Sequence, residues 1–334
     1  MKNPRLNERV IGLLTLLMAF GLTSSIHAQE YTAEISETDV PYIAINKTLA
    51  DSGADWQLHL VPTRDEIYVP IGVRKPEGNG PFPMILIGSG QGSDGIMKIE
   101  RSMARFEELM SRLVDRGYVA AFVNFRNEVP GLYNEIEQSE LLFDDVSGGQ
   151  RTLQSVPTLD SQDYLSIVDH AKALPYTDAN GIGAIGSSHS GEIILKGTAV
   201  MGLAAAVPAE PAATEYLSLD LSDAPRDASG RELQMQDVEV VRSLANKETA
   251  SQQFGEINTP LLILGRDTDH LQGIFRLAYE WIAEADKDVT WASFDHPVHG
   301  YALLGKNEGH AIEVDEIQEQ VFELYMGFFD EHLK

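Results

Sequence analysis

From residue 67 to the C-terminus, short apolar runs alternate with segments of helical spacing, and this alternation limits the available folds more than any other feature. Residues 84–87 (Met-Ile-Leu-Ile) form a continuous apolar run before a glycine-rich turn, which suits a strand buried on both faces. Residues 99–115 then place Ile99, Met103, Phe106, Met110 and Leu113 at helical spacing, and Gly117 is a natural stop. Further strands are predicted at 67–73, 118–125, 181–185, 203–207, 261–264 and 289–294, and further helices at 165–174, 192–201, 273–285 and 311–333. Repeated strand–helix alternation implies an α/β fold with a mostly parallel central sheet and helices on both faces. Functional residues then belong in loops at the carboxyl ends of the strands. Without an internal repeat or low-complexity linker, residues 29–334 read as a single domain. Two excursions interrupt it, at 127–160 and 209–256. The second leaves the sheet after one strand and returns before the next, the position of a lid.

The first 28 residues are read separately. Lys2, Arg5 and Arg9 precede an apolar run over 10–22, and the small-residue site Ile26-His27-Ala28 follows. That order predicts a signal peptide cleaved after Ala28, hence a periplasmic or secreted protein. A membrane anchor fits less well, because a spanning helix needs about 20 apolar residues and this run holds Gly12, Thr15 and Gly21. Export permits disulfides, yet there is no cysteine, so stability must come from a packed core. With 25 basic against 51 acidic residues the net charge is −26. Such a field disfavours nucleic acid and anionic membrane surfaces as partners and says little about substrate.

The segment Gly186-Ser187-Ser188-His189-Ser190-Gly191 carries the strongest chemical signal. A strand runs through a very tight turn into a helix, and a nucleophile presented there needs small neighbours. Gly186 lies two residues before Ser188 and Ser190 two after. Ser188 is therefore the candidate nucleophile; Ser187 and Ser190 lack small residues on both sides at that spacing. Serine at 190, where the full pattern has glycine, is a departure. The competing interpretation is an ordinary helix-capping serine.

A serine nucleophile needs a base, and the base needs an orienting carboxylate. The predicted strand at 261–264 runs into Gly265-Arg266-Asp267-Thr268-Asp269. Asp269, farther past the strand end, is preferred as the acid, with Asp267 as the alternative; either could instead serve as an Asx turn or cap. The last strand is followed by Asp295-His296-Pro297-Val298-His299-Gly300. His299 ranks first as base because Gly300 lets the loop approach another backbone, whereas Pro297 biases His296 toward an extended conformation. Finally, Gly88-Ser89-Gly90-Gln91-Gly92 follows the 84–87 strand. An N–H of Ser89 or Gly90, with the N–H of His189, would make an oxyanion hole. A phosphate-binding turn lacks the required Lys-Ser/Thr ending.

These residues resemble the α/β-hydrolase superfamily, and within it the dienelactone-hydrolase-like and acyl-esterase group. The resemblance rests on residues 160–191 with the Ser188 elbow, the 259–269 strand with Pro260 and Gly265, His299-Gly300-Tyr301, and the Gly88-to-Gly92 turn. It extends as a pattern over about residues 60–333, and residues 29–60 take no part in it. It implies an α/β-hydrolase fold and cofactor-independent hydrolysis of an ester, thioester, lactone or peptide bond. Two rivals are kept: a metal hydrolase built from Asp267, Asp269, His270, His296 and His299, and a non-catalytic binding protein on a hydrolase scaffold. The expected function is thus an exported serine hydrolase acting on carboxylic esters, and a small-molecule or acyl-ester substrate is expected on that chemistry.

Overall fold

Alternate residues of the central strands point to opposite faces, and each face has its own apolar cluster. Met84 and Leu86 join one cluster, Ile85 and Ile87 the other. The same division separates Leu261 and Ile263 from Leu262 and Leu264. Period-two alternation within continuous apolar runs therefore produces a sheet buried on both sides. The computed structural model describes residues 31–35, 41–64, 66–90, 96–125, 157–230, 232–306 and 313–334. The expected signal segment with its Ala28 site, and most of the 127–160 excursion, lie outside the described residues.

Ten strands form one sheet, numbered along the chain: β1 (Tyr31–Ile35), β2 (Pro41–Thr48), β3 (Asp55–Pro62), β4 (Tyr68–Arg74), β5 (Phe82–Gly88), β6 (Val119–Val123), β7 (Thr177–Ser187), β8 (Ala205–Ala209), β9 (Leu261–Arg266) and β10 (Val289–Phe294). Their order is β1-β2-β3-β4-β6-β5-β7-β8-β9-β10. From β6 to β10 all neighbours are parallel, whereas β1 to β4 form an antiparallel meander that joins β6 antiparallel. Residues 29–60, to which sequence patterning gave no place, supply β1, β2 and most of β3. Tyr31–Lys334 make one compact unit.

Helices α1 (Ile96–Arg105), α2 (Glu107–Asp115) and, at the C-terminus, α8 (Glu316–Leu333) cover one face. Helices α3 (Pro157–Ala173), α4 (His189–Gly197) and α7 (Gln272–Glu284) cover the other. The single helix expected over 99–115 is two. They break at Phe106, whose ring stacks on Phe122, while the Arg105 carbonyl accepts from the Lys306 N–H. Helix α4 starts at His189, three residues earlier than predicted, because the turn before it consumes one residue only. Within the 209–256 excursion, α5 (Val238–Leu244) and α6 (Lys247–Phe254) contribute Val241, Ala250 and Phe254 to the same cluster as α7. No helix of the described residues is long and apolar enough to cross a membrane.

A buried histidine pair ties the meander to α3. His59 Nδ1 and His170 Nε2 are 3.0 Å apart, and both rings pack on Tyr42. One nitrogen donates and the other accepts, so the pair tolerates no second proton between them. Burial pushes His59 down to about 3, helped by the neighbouring His170, and pushes His170 down to about 4. Since both stay neutral when folded, the unfolded chain alone takes up protons as pH falls below about 6.5. Unfolding free energy should therefore drop by about 1.4 kcal/mol per pH unit for each histidine between pH ~6 and ~4.5. Urea titrations of the wild type against His59→Gln and His170→Gln check this: each variant should show a shallower acid loss.

Candidate active site

Strand β7 ends at Ser187 and α4 begins at His189, leaving Ser188 to make the turn alone. Its φ is 58° and ψ −116°, a region costing about 1–3 kcal/mol for a residue with a side chain. The surroundings hold it there. Ser188 N–H donates to the Ala209 carbonyl at 3.1 Å, and its own carbonyl accepts from Glu192 N–H at 3.1 Å and Ala212 N–H at 3.0 Å. Of the three neighbouring serines, Ser187 and Ser190 are buried, at 2% and 1% exposure, while Ser188 is partly exposed. The elbow thus offers one of its hydroxyls.

The serine at 190 has a structural reason. Its hydroxyl donates to the Ser89 carbonyl, tying α4 to the turn after β5. Room for it comes from Gly88, where a β-carbon would lie 2.5 Å from Ser190 Oγ. On the same account Gly88→Ala should destabilise the protein by about 1–3 kcal/mol through overpacking. Pairing it with Ser190→Gly should recover most of that loss, a non-additivity that urea midpoints of the two single variants and the double variant would measure. Gly90 lies over the nucleophile: a β-carbon there would sit 3.6 Å from Ser188 Cβ and 4.0 Å from its Oγ. The Ser89-Gly90 turn and the first turn of α4 therefore flank one small space, with the helix N-terminus favouring negative charge in it.

Beneath the elbow the His189 side chain turns inward. Its Nε2 lies 2.6 Å from Asp160 Oδ2 on α3, and its ring meets Phe125 edge-on. Glu192, also buried, accepts from the N–H groups of Glu215 and Tyr216, which fixes the chain that leaves β8 against α4. Burial pushes the Glu192 carboxyl up.

The two downstream loops meet at one imidazole. His299 Nδ1 lies 2.8 Å from Asp269 Oδ2. Asp269 is fully buried and also accepts from Arg266 Nη2 at 2.6 Å, Arg266 Nε at 3.0 Å and Leu271 N–H at 2.8 Å. Burial alone would raise its pKa, but the His299 hydrogen bond and these donors hold it at about 2. For His299, partial burial acts downward, and the Asp269 hydrogen bond with the Glu210 and Asp269 charges outweighs it, so its pKa is raised. The alternative acid, Asp267, is directed elsewhere, to Ser293 Oγ. His296 is likewise committed: Nε2 lies 2.9 Å from Asp315 Oδ2, Nδ1 accepts from Val298 N–H at 3.0 Å, and the ring stacks on Tyr301. His270 stands beside the imidazole, with ring centroids 6.5 Å apart.

Two residues of this cluster were not singled out from the sequence. Glu210 follows β8 directly, and Arg266 is the last residue of β9. A charged residue at the carboxyl end of a buried parallel strand was the available signal. Glu210, Asp269 and His299 bring one possible ligand atom each within 4.8 Å of one another. The guanidinium of Arg266 already bridges both carboxylates, so the cationic place between them is filled by the protein itself. Of the five residues of the metal alternative, Asp267 and His296 point away from this group.

No family model matches the chain, and no curated protein matches it in sequence. Solved structures do resemble it. A protein described as a dienelactone hydrolase, from Klebsiella pneumoniae subsp. pneumoniae, superposes at a TM-score of 0.50 and 14% identity, over 86% of this chain and 98% of its own. Esterase 2 of Thermogutta terrifontis, in its sarin-phosphonylated form, gives 0.55 and 17%, over 85% and 96%. Dipeptidyl peptidase 4 of Porphyromonas gingivalis gives 0.54 and 15%, over 92% of this chain but 44% of that one. The chain has the α/β-hydrolase fold.

Proposed function

On this α/β-hydrolase fold, we propose that the protein is a serine hydrolase that cleaves carboxylic esters through Ser188, His299 and Asp269. The observation that carries the reading is the conjunction of a strained, partly exposed Ser188 with a His299–Asp269 pair at 2.8 Å, both at carboxyl ends of parallel strands. Ser188 Oγ attacks the acyl carbon while His299 Nε2 takes its proton. Asp269 fixes the tautomer through Nδ1–H and stabilises the imidazolium that forms. The N–H groups of His189 and of Ser89 or Gly90 receive the oxyanion. His299 then protonates the leaving alcohol, and water hydrolyses the acyl-enzyme by the same steps. Export is part of the proposal: residues 1–28 are removed and the mature chain acts in the periplasm or outside the cell.

The solved neighbours include proteins named as esterases, a dienelactone hydrolase and a dipeptidyl peptidase, which supports acyl-bond hydrolysis as the class. One of these esterases is described as phosphorylated by paraoxon, and the same kind of trap suits this chain. A fluorophosphonate probe should label the wild type once, on the peptide carrying Ser188. A panel of p-nitrophenyl esters and aminoacyl amides should show turnover of esters above amides. Absence of label together with no turnover would favour a binding protein on this scaffold; turnover lost to a chelator without labelling would favour the metal alternative.

A further inference from the structure

Glu210 is an acidic residue with 0% side-chain exposure, placed by β8 among residues from two other strand ends and the histidine loop. Its Oε2 accepts from the Gly300 N–H at 2.6 Å and from Ser187 Oγ at 3.5 Å. Its Oε1 accepts from Arg266 Nε at 3.2 Å and lies 3.4 Å from His299 Nδ1. The imidazole nitrogen that faces Asp269 at 2.8 Å therefore has a second carboxylate beside it. A buried carboxylate is costly unless its partners compensate. Here those partners are Arg266, Gly300 and, at the longest reach, Ser187.

We propose that Glu210 is a positioning residue for His299, a second carboxylate that clamps the histidine loop at Gly300 and holds the imidazole alongside Asp269. The inference rests on the reading of Ser188, His299 and Asp269 as the reactive centre. Two functions are separable. The Gly300 bond is made to the residue next to His299 and fixes where the ring can lie. The charge acts on the ring itself. Burial and the Asp269 charge push the Glu210 carboxyl up, against the pull of His299, the Gly300 N–H and Arg266. With Glu210 ionised and Arg266 neutralising one carboxylate, the cluster of Asp269, Glu210 and Arg266 carries one net negative charge, and protonation of His299 brings it to zero. That favours the imidazolium formed when Ser188 attacks. Among the described residues, His270 also stands beside His299, with its Nδ1 3.2 Å from Asp269 Oδ1, and Arg266 acts on the imidazole in the opposite sense. Neither supplies a second negative charge.

Glu210→Gln separates the charge from the clamp, because the amide oxygen can still accept from Gly300 while the charge is gone. Removing a negative charge makes the imidazole less basic, so His299 should titrate about one pH unit lower in the variant. NMR titration of His299 in the wild type and Glu210→Gln reads this without reference to turnover. The acid limb of kcat/KM should move to lower pH by the same amount, with kcat falling at least tenfold. Glu210→Asp, which keeps the charge, should leave the titration near the wild-type value. If Glu210→Gln fails to fold, Asp269→Asn gives the reciprocal measurement: with Glu210 intact, His299 should still titrate no lower than it does in the same protein unfolded in urea. An unmoved His299 titration in Glu210→Gln, or a fall well below the unfolded-state titration in Asp269→Asn, overturns the proposal. Either result would leave the ester-hydrolase reading standing, since that is decided separately by labelling and turnover at Ser188.

Discussion

Ser188→Ala should lower kcat on the best ester of the panel by about 10⁶-fold and abolish fluorophosphonate labelling. The size follows from the division of labour at the site. Without the hydroxyl no acyl-enzyme can form, and what survives is the contribution of binding and the oxyanion donors, about 10³–10⁴ over water. The fold should persist, because Ser188 makes its cohesive bonds with backbone groups that alanine retains. A variant with wild-type turnover and an unchanged urea midpoint would remove Ser188 from the mechanism. Substitution of Ser187 or Ser190, both buried, should by contrast leave the labelling site in place.

His299→Ala is the second large effect, and it should approach that of Ser188→Ala, because the serine and its base act as one unit. The double variant should then be scarcely worse than either single one. This non-additivity distinguishes a shared proton transfer from two independent contributions to substrate binding, which would multiply. His296→Ala provides the contrast. His296 is engaged with Asp315 at the start of α8 and stacked on Tyr301, so its loss should reduce stability while sparing most of kcat. Steady-state kinetics on folded material, with urea midpoints alongside, checks both. A His299→Ala enzyme within tenfold of wild type would exclude it as the base.

The parallel half of the sheet was legible because burial on both faces leaves uninterrupted apolar runs such as 84–87 and 261–264. Of the meander, β4 was legible at 67–73 but β1 to β3 were not, because they pair antiparallel near an edge of the sheet, where polar residues such as Asn46, Lys47, Gln57 and His59 interrupt the pattern. At the site, chain order and position at strand ends pointed to Ser188, Asp269 and His299. Spacing alone could not decide between Asp267 and Asp269. The structure separates them by the turn after β9, which sends Asp267 to Ser293 and Asp269 to Arg266 and His299. The departure at Ser190 looked like a flaw in the elbow because its compensation lies a hundred residues upstream, in the missing side chain of Gly88. Glu210 was invisible for a related reason. Its role depends on Gly300 and Arg266, which are distant in sequence and adjacent only once β8 and β9 pair.

The backbone at Ser188 has a consequence for how this chain can change. Glycine would occupy those dihedral angles at ease, relieving about 1–3 kcal/mol of local strain. The more durable molecule would then be the inert one. Heat tolerance and catalysis make opposite demands on that residue, so gains in durability compatible with activity have to be found elsewhere, in caps, loops and the edge meander, while the elbow stays taut.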